Sequence, residues 1–250
     1  MKICVLDFDG VLFDLERLAR DQVDLFGSFG ISEEIFWQAY ARGSVVGPYS
    51  VWRHIVNSNE LLPIALSKKL QRGLYKRVYE LAHHSAQYVL PGAIEFLDKL
   101  EDDGWQLSLL SYGKDHQAAK IYNSGLRFRP RHFPLLGPLL DHFSPRERFA
   151  WIRITADKTK VNDWQAILRN YDPQSRDVYL FVDDTAAIVE AVRAAFPKKI
   201  FDRFFIGQLL LPNTPGRLVA EAGSADRILH SYNKTLDYAT EVALTPIEVD

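Results

Sequence analysis

The chain has 250 residues, 47% apolar and 25% charged, with a formal net charge of −2. This is an ordinary globular composition, and its near-neutral balance excludes a surface built to wrap nucleic acid. No apolar run is long enough to span a bilayer, and the single cysteine, Cys4, leaves no intrachain disulfide to form. A cytoplasmic setting, with no signal peptide and no membrane anchor, is therefore expected.

The first element is a short apolar run, Ile3-Cys4-Val5-Leu6, followed at once by Asp7-Phe8-Asp9-Gly10. Such a run reads as a parallel strand buried on both faces. Period 2 sends Asp7 and Asp9 to one side, where the strand opens into a loop. Two like charges that close call for a cation between them, or for one group kept protonated.

Helical spacing then holds for some seventy residues. A helix is expected over 15–26, and Ser32 reads as an N-cap with Glu33 and Glu34 in the first turn. Pro48 opens a third short helix through Trp52 and Ile55, and a longer helix spans 64–88. Together these predict a small all-helical unit over 14–89. Tyr40, Arg42, Tyr49 and Trp52 are its candidate substrate contacts, although aromatic stripes on helices more often belong to a core.

Pro91-Gly92 marks a boundary. A helix over 93–100 ends at Gly104, a strand covers 105–110, and Ser111-Tyr112-Gly113-Lys114 forms the loop before a helix over 116–123. Ser144-Pro145-Arg146-Glu147 has the capping-box form. A strand over 149–155 follows, then a helix over 162–170 capped by Asn162. A strand over 177–182 ends in Asp183-Asp184-Thr185, and a helix covers 186–196. The chain closes with a strand over 204–211 and a last helix capped by Ser224, with Ile228 and Leu229 on its apolar stripe. Arg127, Arg129 and Arg131 alternate, which reads mainly as a solvated basic edge. Strands alternating with helices predict a parallel sheet covered on both faces.

Three predicted strands end in polar residues at one edge of that sheet: Asp7 with Asp9, Ser111, and Asp183 with Asp184. Carboxylates gathered without histidine or cysteine favour Mg²⁺. A serine followed by Tyr112 and Gly113 offers a hydroxyl and backbone N–H groups to an anion. A lysine at the mouth of the helix near residue 162 adds a point charge; Lys160 fits best, with Lys158 as the alternative. These are the parts that phosphoryl transfer needs.

Asp7-Phe8-Asp9-Gly10-Val11-Leu12, Ser111, the lysine and Asp183-Asp184 resemble the four ordered motifs of the haloacid dehalogenase (HAD) superfamily. The resemblance covers roughly 1–13 and 90–205. It implies an α/β fold, a Rossmann-like HAD core with a parallel sheet flanked by helices, plus a small all-helical cap domain. The core would comprise 1–13 and 90–250, and the cap 14–89. By the same resemblance Asp7 is the nucleophile and Asp9 the general acid and base. Mg²⁺ lies on Asp7, the Asp9 carbonyl, Asp183 and Asp184. Ser111, Tyr112 and Gly113 hold the phosphoryl oxygens, and Lys160 neutralises charge. Family members that cleave carbon–halogen bonds lack an acid at the position of Asp9. The expectation is a phosphatase acting on a small phosphorylated metabolite. A phosphomutase and a catalytically weak regulatory protein of the same family are the alternatives.

Overall fold

The computed structural model describes residues 1–127, 147–172, 174–211 and 222–244. Among these, six parallel strands form one sheet in the order β3-β2-β1-β4-β5-β6. The strands are β1 (Lys2–Leu6), β2 (Gln106–Tyr112), β3 (Phe149–Thr155), β4 (Val178–Asp183), β5 (Phe204–Leu209) and β6 (Arg227–Leu229). The first strand is central. It pairs with β2 through Leu6↔Leu109 and with β4 through Leu6↔Val182, so the ends of β1, β2 and β4 lie side by side.

Strand alternation divides the core between two faces. Cys4, Leu6, Leu107, Leu109, Leu180 and Val182 share one apolar cluster with Phe96, Leu97 and Tyr238. The last three come from α5 (Ala93–Asp102) and α9 (Tyr232–Ala243). Val5, Leu110, Tyr179, Phe181 and Ile206 share the other cluster with Trp164, Val189 and Val192. Those side chains come from α7 (Val161–Ile167) and α8 (Ala186–Ala195). Both faces of the sheet are thus buried, as its parallel pairing requires.

Between β1 and α5 lie α1 (Leu15–Gly27), α2 (Glu33–Val46), α3 (Val51–Leu61) and α4 (Lys68–His83), followed by a 3₁₀ turn, Ser85–Tyr88. Each of the four helices starts on a side-chain cap: Asp14, Ser32, Ser50 and Ser67 accept backbone N–H groups three residues on. These helices have an apolar cluster of their own, with Phe26, Phe36, Ile55, Leu74 and Val78 at its centre. The chain leaves and re-enters side by side: Leu90 N–H donates to the Leu12 carbonyl and Asp14 N–H to the Tyr88 carbonyl.

Several expected boundaries shift for local reasons. The third helix begins at Val51, because Ser50 caps it, rather than at Pro48. The expected helix over 64–88 starts at Lys68 under the Ser67 cap and gives way to the 3₁₀ turn after His83. Ile228 and Leu229 belong to β6, and Ser231, not Ser224, caps the last helix. Asn162 lies inside α7, whose N-cap is Lys160. The motif at 144–146, Arg129 and Arg131 lie outside the described residues.

Candidate active site

Asp7 follows β1 directly, and Asp183 and Asp184 stand at the end of β4. Their carboxylates converge: Asp7, Asp183 and Asp184 each offer an oxygen within 4.8 Å of the others, and all three are buried. Gly10 makes this approach possible. It has φ +76°, and a Cβ there would lie 1.9 Å from Asp184 Oδ2.

Lys160 is fully buried among these groups. Its Nζ lies 2.9 Å from Asp7 Oδ1 and 2.7 Å from Asp183 Oδ2. Lys158 makes no such contact; it is exposed and lines the cavity described below. Lys160 is also the one described non-glycine residue with positive φ, at +60°. That left-handed conformation costs about 1–3 kcal/mol and persists only where surrounding bonds hold it. Asp157 supplies them. Its carboxylate accepts Thr159 N–H and Asn162 N–H at 3.0 Å each, and its carbonyl accepts Lys160 N–H.

The charges in this cluster do not cancel. Three carboxylates share one ammonium, so with all three ionised the cluster would carry two surplus negative charges. Burial pushes the Asp7 carboxyl up; Lys160 opposes the rise, Asp183 and Asp9 add to it, and the result is about 7. Burial, then Asp183 and Asp7, likewise hold Asp184 well above the carboxylate range. Burial works to lower the Lys160 ammonium, but Asp183 and Asp7 outweigh it and raise it instead. An all-oxygen donor set that would carry two surplus negative charges when ionised fits one hard divalent cation.

Asp9 stands apart from this trio. Its carboxylate is gripped by Lys120 of α6 (Asp115–Asn123), at 2.6 and 2.8 Å to the two oxygens. Lys120 is 3% exposed, and its Nζ lies 5.1 Å from the centroid of the Phe13 ring. On sequence alone Lys120 passes for a surface residue of an amphipathic helix.

Ser111 lies on β2 beside Asp7, and its Oγ accepts a hydrogen bond from Gln117 Nε2 at 2.8 Å. The Ser111 hydroxyl proton is therefore free to point at an anion. Gln117 explains Gly113 as well, because a Cβ there would meet the Gln117 Cβ at 2.4 Å. One expectation needs correcting. Gly113 N–H is already donated to the Thr155 carbonyl at 2.9 Å, so it is not available as an anion donor. The N–H belongs to the β2–β3 ladder, which runs on past the predicted strand end.

Asp7, Asp9, Ser111, Gln117, Lys120, Lys160 and Asp184 line one cavity of about 540 Å³, walled on the other side by α1, α2 and α3. Tyr40 and Tyr49 line it, whereas Arg42 and Trp52 do not; Trp52 packs edge-on against Tyr75 instead. His116 lines it too. Its ring is buried, burial and Lys120 hold it down to about 3, and Nε2 has no hydrogen-bond partner among the described residues.

The fold is shared with solved structures of low sequence identity. A Thermotoga maritima protein assigned as a β-phosphoglucomutase superposes with a TM-score of 0.59 at 18% identity, over 97% of this chain and 100% of the other. A Haemophilus somnus protein assigned as a phosphoglycolate phosphatase gives 0.57 at 13%, over 95% and 97%. A dehalogenase with an intermediate complex gives 0.57 at 14%, over 94% and 96%. No curated protein matches the sequence. At these identities the likeness shows the fold alone, and the fold does not choose a chemistry. The family model for haloacid dehalogenase-like hydrolases matches residues 1–195, which takes in Asp7, Asp9, Ser111, Lys160, Asp183 and Asp184. The chain is an enzyme that belongs to the haloacid dehalogenase-like hydrolase family.

Proposed function

We propose that the protein is a Mg²⁺-dependent phosphatase that hydrolyses a small phosphomonoester through an aspartyl-phosphate on Asp7. The observation that carries this reading is Asp9. A second carboxylate, two residues beyond Asp7 and lining the same cavity, has no use in a reaction whose leaving group needs no proton.

Asp7 attacks phosphorus, and the bond from phosphorus to the leaving oxygen breaks. Asp9 gives its proton to that oxygen, and the alcohol departs. Asp9, now a base, takes a proton from water as the water attacks phosphorus. The bond to the Asp7 oxygen breaks, inorganic phosphate leaves, and both carboxylates return to their starting forms. Lys160 offsets charge on Asp7, and the Ser111 hydroxyl, oriented by Gln117, donates to a phosphoryl oxygen. Asp7, the Asp9 carbonyl, Asp183 and Asp184 would hold Mg²⁺, which when bound offsets charge on the transferring phosphoryl. In this reading residues 1–13 and 90–250 form the catalytic core. Residues 14–89 act as a cap that keeps bulk water from the phosphoryl group.

The test is phosphate release from a panel of phosphomonoesters, with and without Mg²⁺, by wild type, Asp7→Asn and Asp9→Asn. Mg²⁺-dependent release that both variants abolish supports the proposal. Release that persists in Asp7→Asn refutes it. Phosphate moved onto a second substrate hydroxyl, rather than to water, would replace it with a mutase.

A further inference from the structure

The cavity has two walls of unlike chemistry. The core wall carries Asp7, Asp9, Lys120, Lys160 and Asp184, and its exposed lysines, Lys114 and Lys158, adjoin Gly113 and Thr159 on that same side. The wall supplied by α1, α2 and α3 carries no Asp, Glu, Lys or Arg among the described residues. Aromatic side chains take their place. Trp37 and Tyr40 meet at 5.8 Å between ring centroids, Tyr40 and Tyr49 at 5.8 Å, and Tyr49 reaches His116 of α6 at 5.3 Å.

The one imidazole that α1, α2 and α3 bring to this wall among the described residues, His54, is uncharged. Nε2–H donates to the Phe36 carbonyl at 2.9 Å, and Nδ1 accepts from the Tyr49 hydroxyl at 3.1 Å. Burial holds the ring down to about 4. Gln22 of α1 supplies the second observation. It is 6% exposed, lines the cavity, and its amide has no hydrogen-bond partner among the described residues. The amide is not sealed from solvent, and it stands open to the polar edge of a ligand in the cavity.

Arg53 of α3 donates to the Gly43 carbonyl at 3.0 Å but does not line the cavity, so an anionic leaving group against the lining of this wall would shed its hydration with no charged side chain in contact. A flat uncharged ring would lose little and gain contact with the aromatic faces. We propose that the substrate is a phosphomonoester whose leaving alcohol is uncharged and bears a flat ring. The ring lies against Tyr40 and Tyr49, and Gln22 pairs with its polar edge. This rests on the phosphatase reading above. Size agrees with it: a cavity of about 150 Å³ takes one benzene ring, and this one, at about 540 Å³, has room for the phosphoryl group as well.

The experiment compares matched esters on the Mg²⁺-loaded enzyme: adenosine 5′-monophosphate against ribose 5-phosphate, and 2-phenylethyl phosphate against ethyl phosphate. Phosphoglycolate is added as a small anionic ester. Stacking a base on an aromatic side chain corresponds to roughly 5- to 150-fold. The ring-bearing member of each pair is therefore expected to have a kcat/KM higher by about tenfold or more. Tyr40→Leu should collapse that ratio by raising KM for the ring-bearing esters alone, while Tyr40→Phe should keep it. Ratios below about twofold in both pairs, or phosphoglycolate as the best substrate, overturn the inference and leave the phosphatase reading standing. If no ester shows release that depends on Asp7, the phosphatase reading falls and takes this inference with it.

Discussion

Gly10→Ala is the sharpest test of how the carboxylate cluster is built, because the fold supplies its own control. Gly10 has φ +76° and Gly104 has φ +82°, so alanine is equally strained at both. The left-handed conformation costs an L-residue about 1–2 kcal/mol. In a chain of this size each kcal/mol lowers Tm by about 2–4 °C. Gly104→Ala adds a Cβ that meets nothing within 4 Å, so it should lower Tm by about 2–8 °C and leave activity alone. At Gly10 the added Cβ would lie 1.9 Å from Asp184 Oδ2 and 2.5 Å from its Cγ. The carboxylate must retreat by about 1 Å or more, giving up its 3.1 Å bond to the Thr185 hydroxyl, worth about 1 kcal/mol. It also leaves the oxygen set shared with Asp7 and Asp183. Thermal melts of wild type and both variants, with and without Mg²⁺, separate the two costs. The expected result is a fall in Tm for Gly10→Ala about twice that of Gly104→Ala, with Mg²⁺ no longer raising it. Equal falls, together with wild-type stabilisation by Mg²⁺, would refute the reasoning.

Three other outcomes follow from the geometry. Lys160→Met removes the ammonium shared by Asp7 and Asp183 and should cut turnover by about 10²–10³-fold; Lys158→Ala should stay within about threefold, as initial rates would show. Lys120→Met frees the Asp9 carboxylate and should lower kcat by about 10²-fold with little change in KM, and Lys120→Arg should recover part of the loss. The third concerns pH. His54 is neutral in the fold, with its pKa lowered to about 4, whereas the unfolded chain takes up the proton near 6.5. Its contribution is thus complete above pH 6.5 and lost as pH falls towards 4, up to about 3 kcal/mol. Denaturant melts of wild type and His54→Gln across that range should converge at the acid end; parallel curves would exclude the effect.

Much of the candidate site was legible because its carboxylates end apolar runs. Asp7, Ser111 and Asp183 each mark the point where a buried strand reaches the open edge of the sheet, and parallel pairing in register brings those points together. Lys160 was legible as a cation at a helix mouth, but its left-handed backbone was not, since that depends on bonds from Asp157. Lys120 and Gln117 escaped notice for a different reason. On a short amphipathic helix such residues read as solvated, and only the packing of α6 beneath the first loop turns them inward. The Gly113 N–H was misread because the strand end was placed too early. The last strand was hidden by its length: Arg227–Leu229 is too short for any periodicity to separate it from the helix that follows.

The central position of β1 has a consequence for synthesis. Its neighbours β2 and β4 begin at residues 106 and 178, so the strand has no partner until β2 is made, and only one partner until β4 follows. At about 5–20 residues per second, the roughly 100 residues between Ile3 and its first partner Gln106 take on the order of 5–20 s to appear. In that interval the helices over 14–89 can pack through near neighbours in the chain, while Ile3, Cys4, Val5 and Leu6 have nothing to pair with. An apolar strand in that condition is prone to self-association unless charges flank it. Lys2 stands on one side and Asp7 and Asp9 on the other. The two carboxylates thus guard the nascent strand long before they meet a substrate.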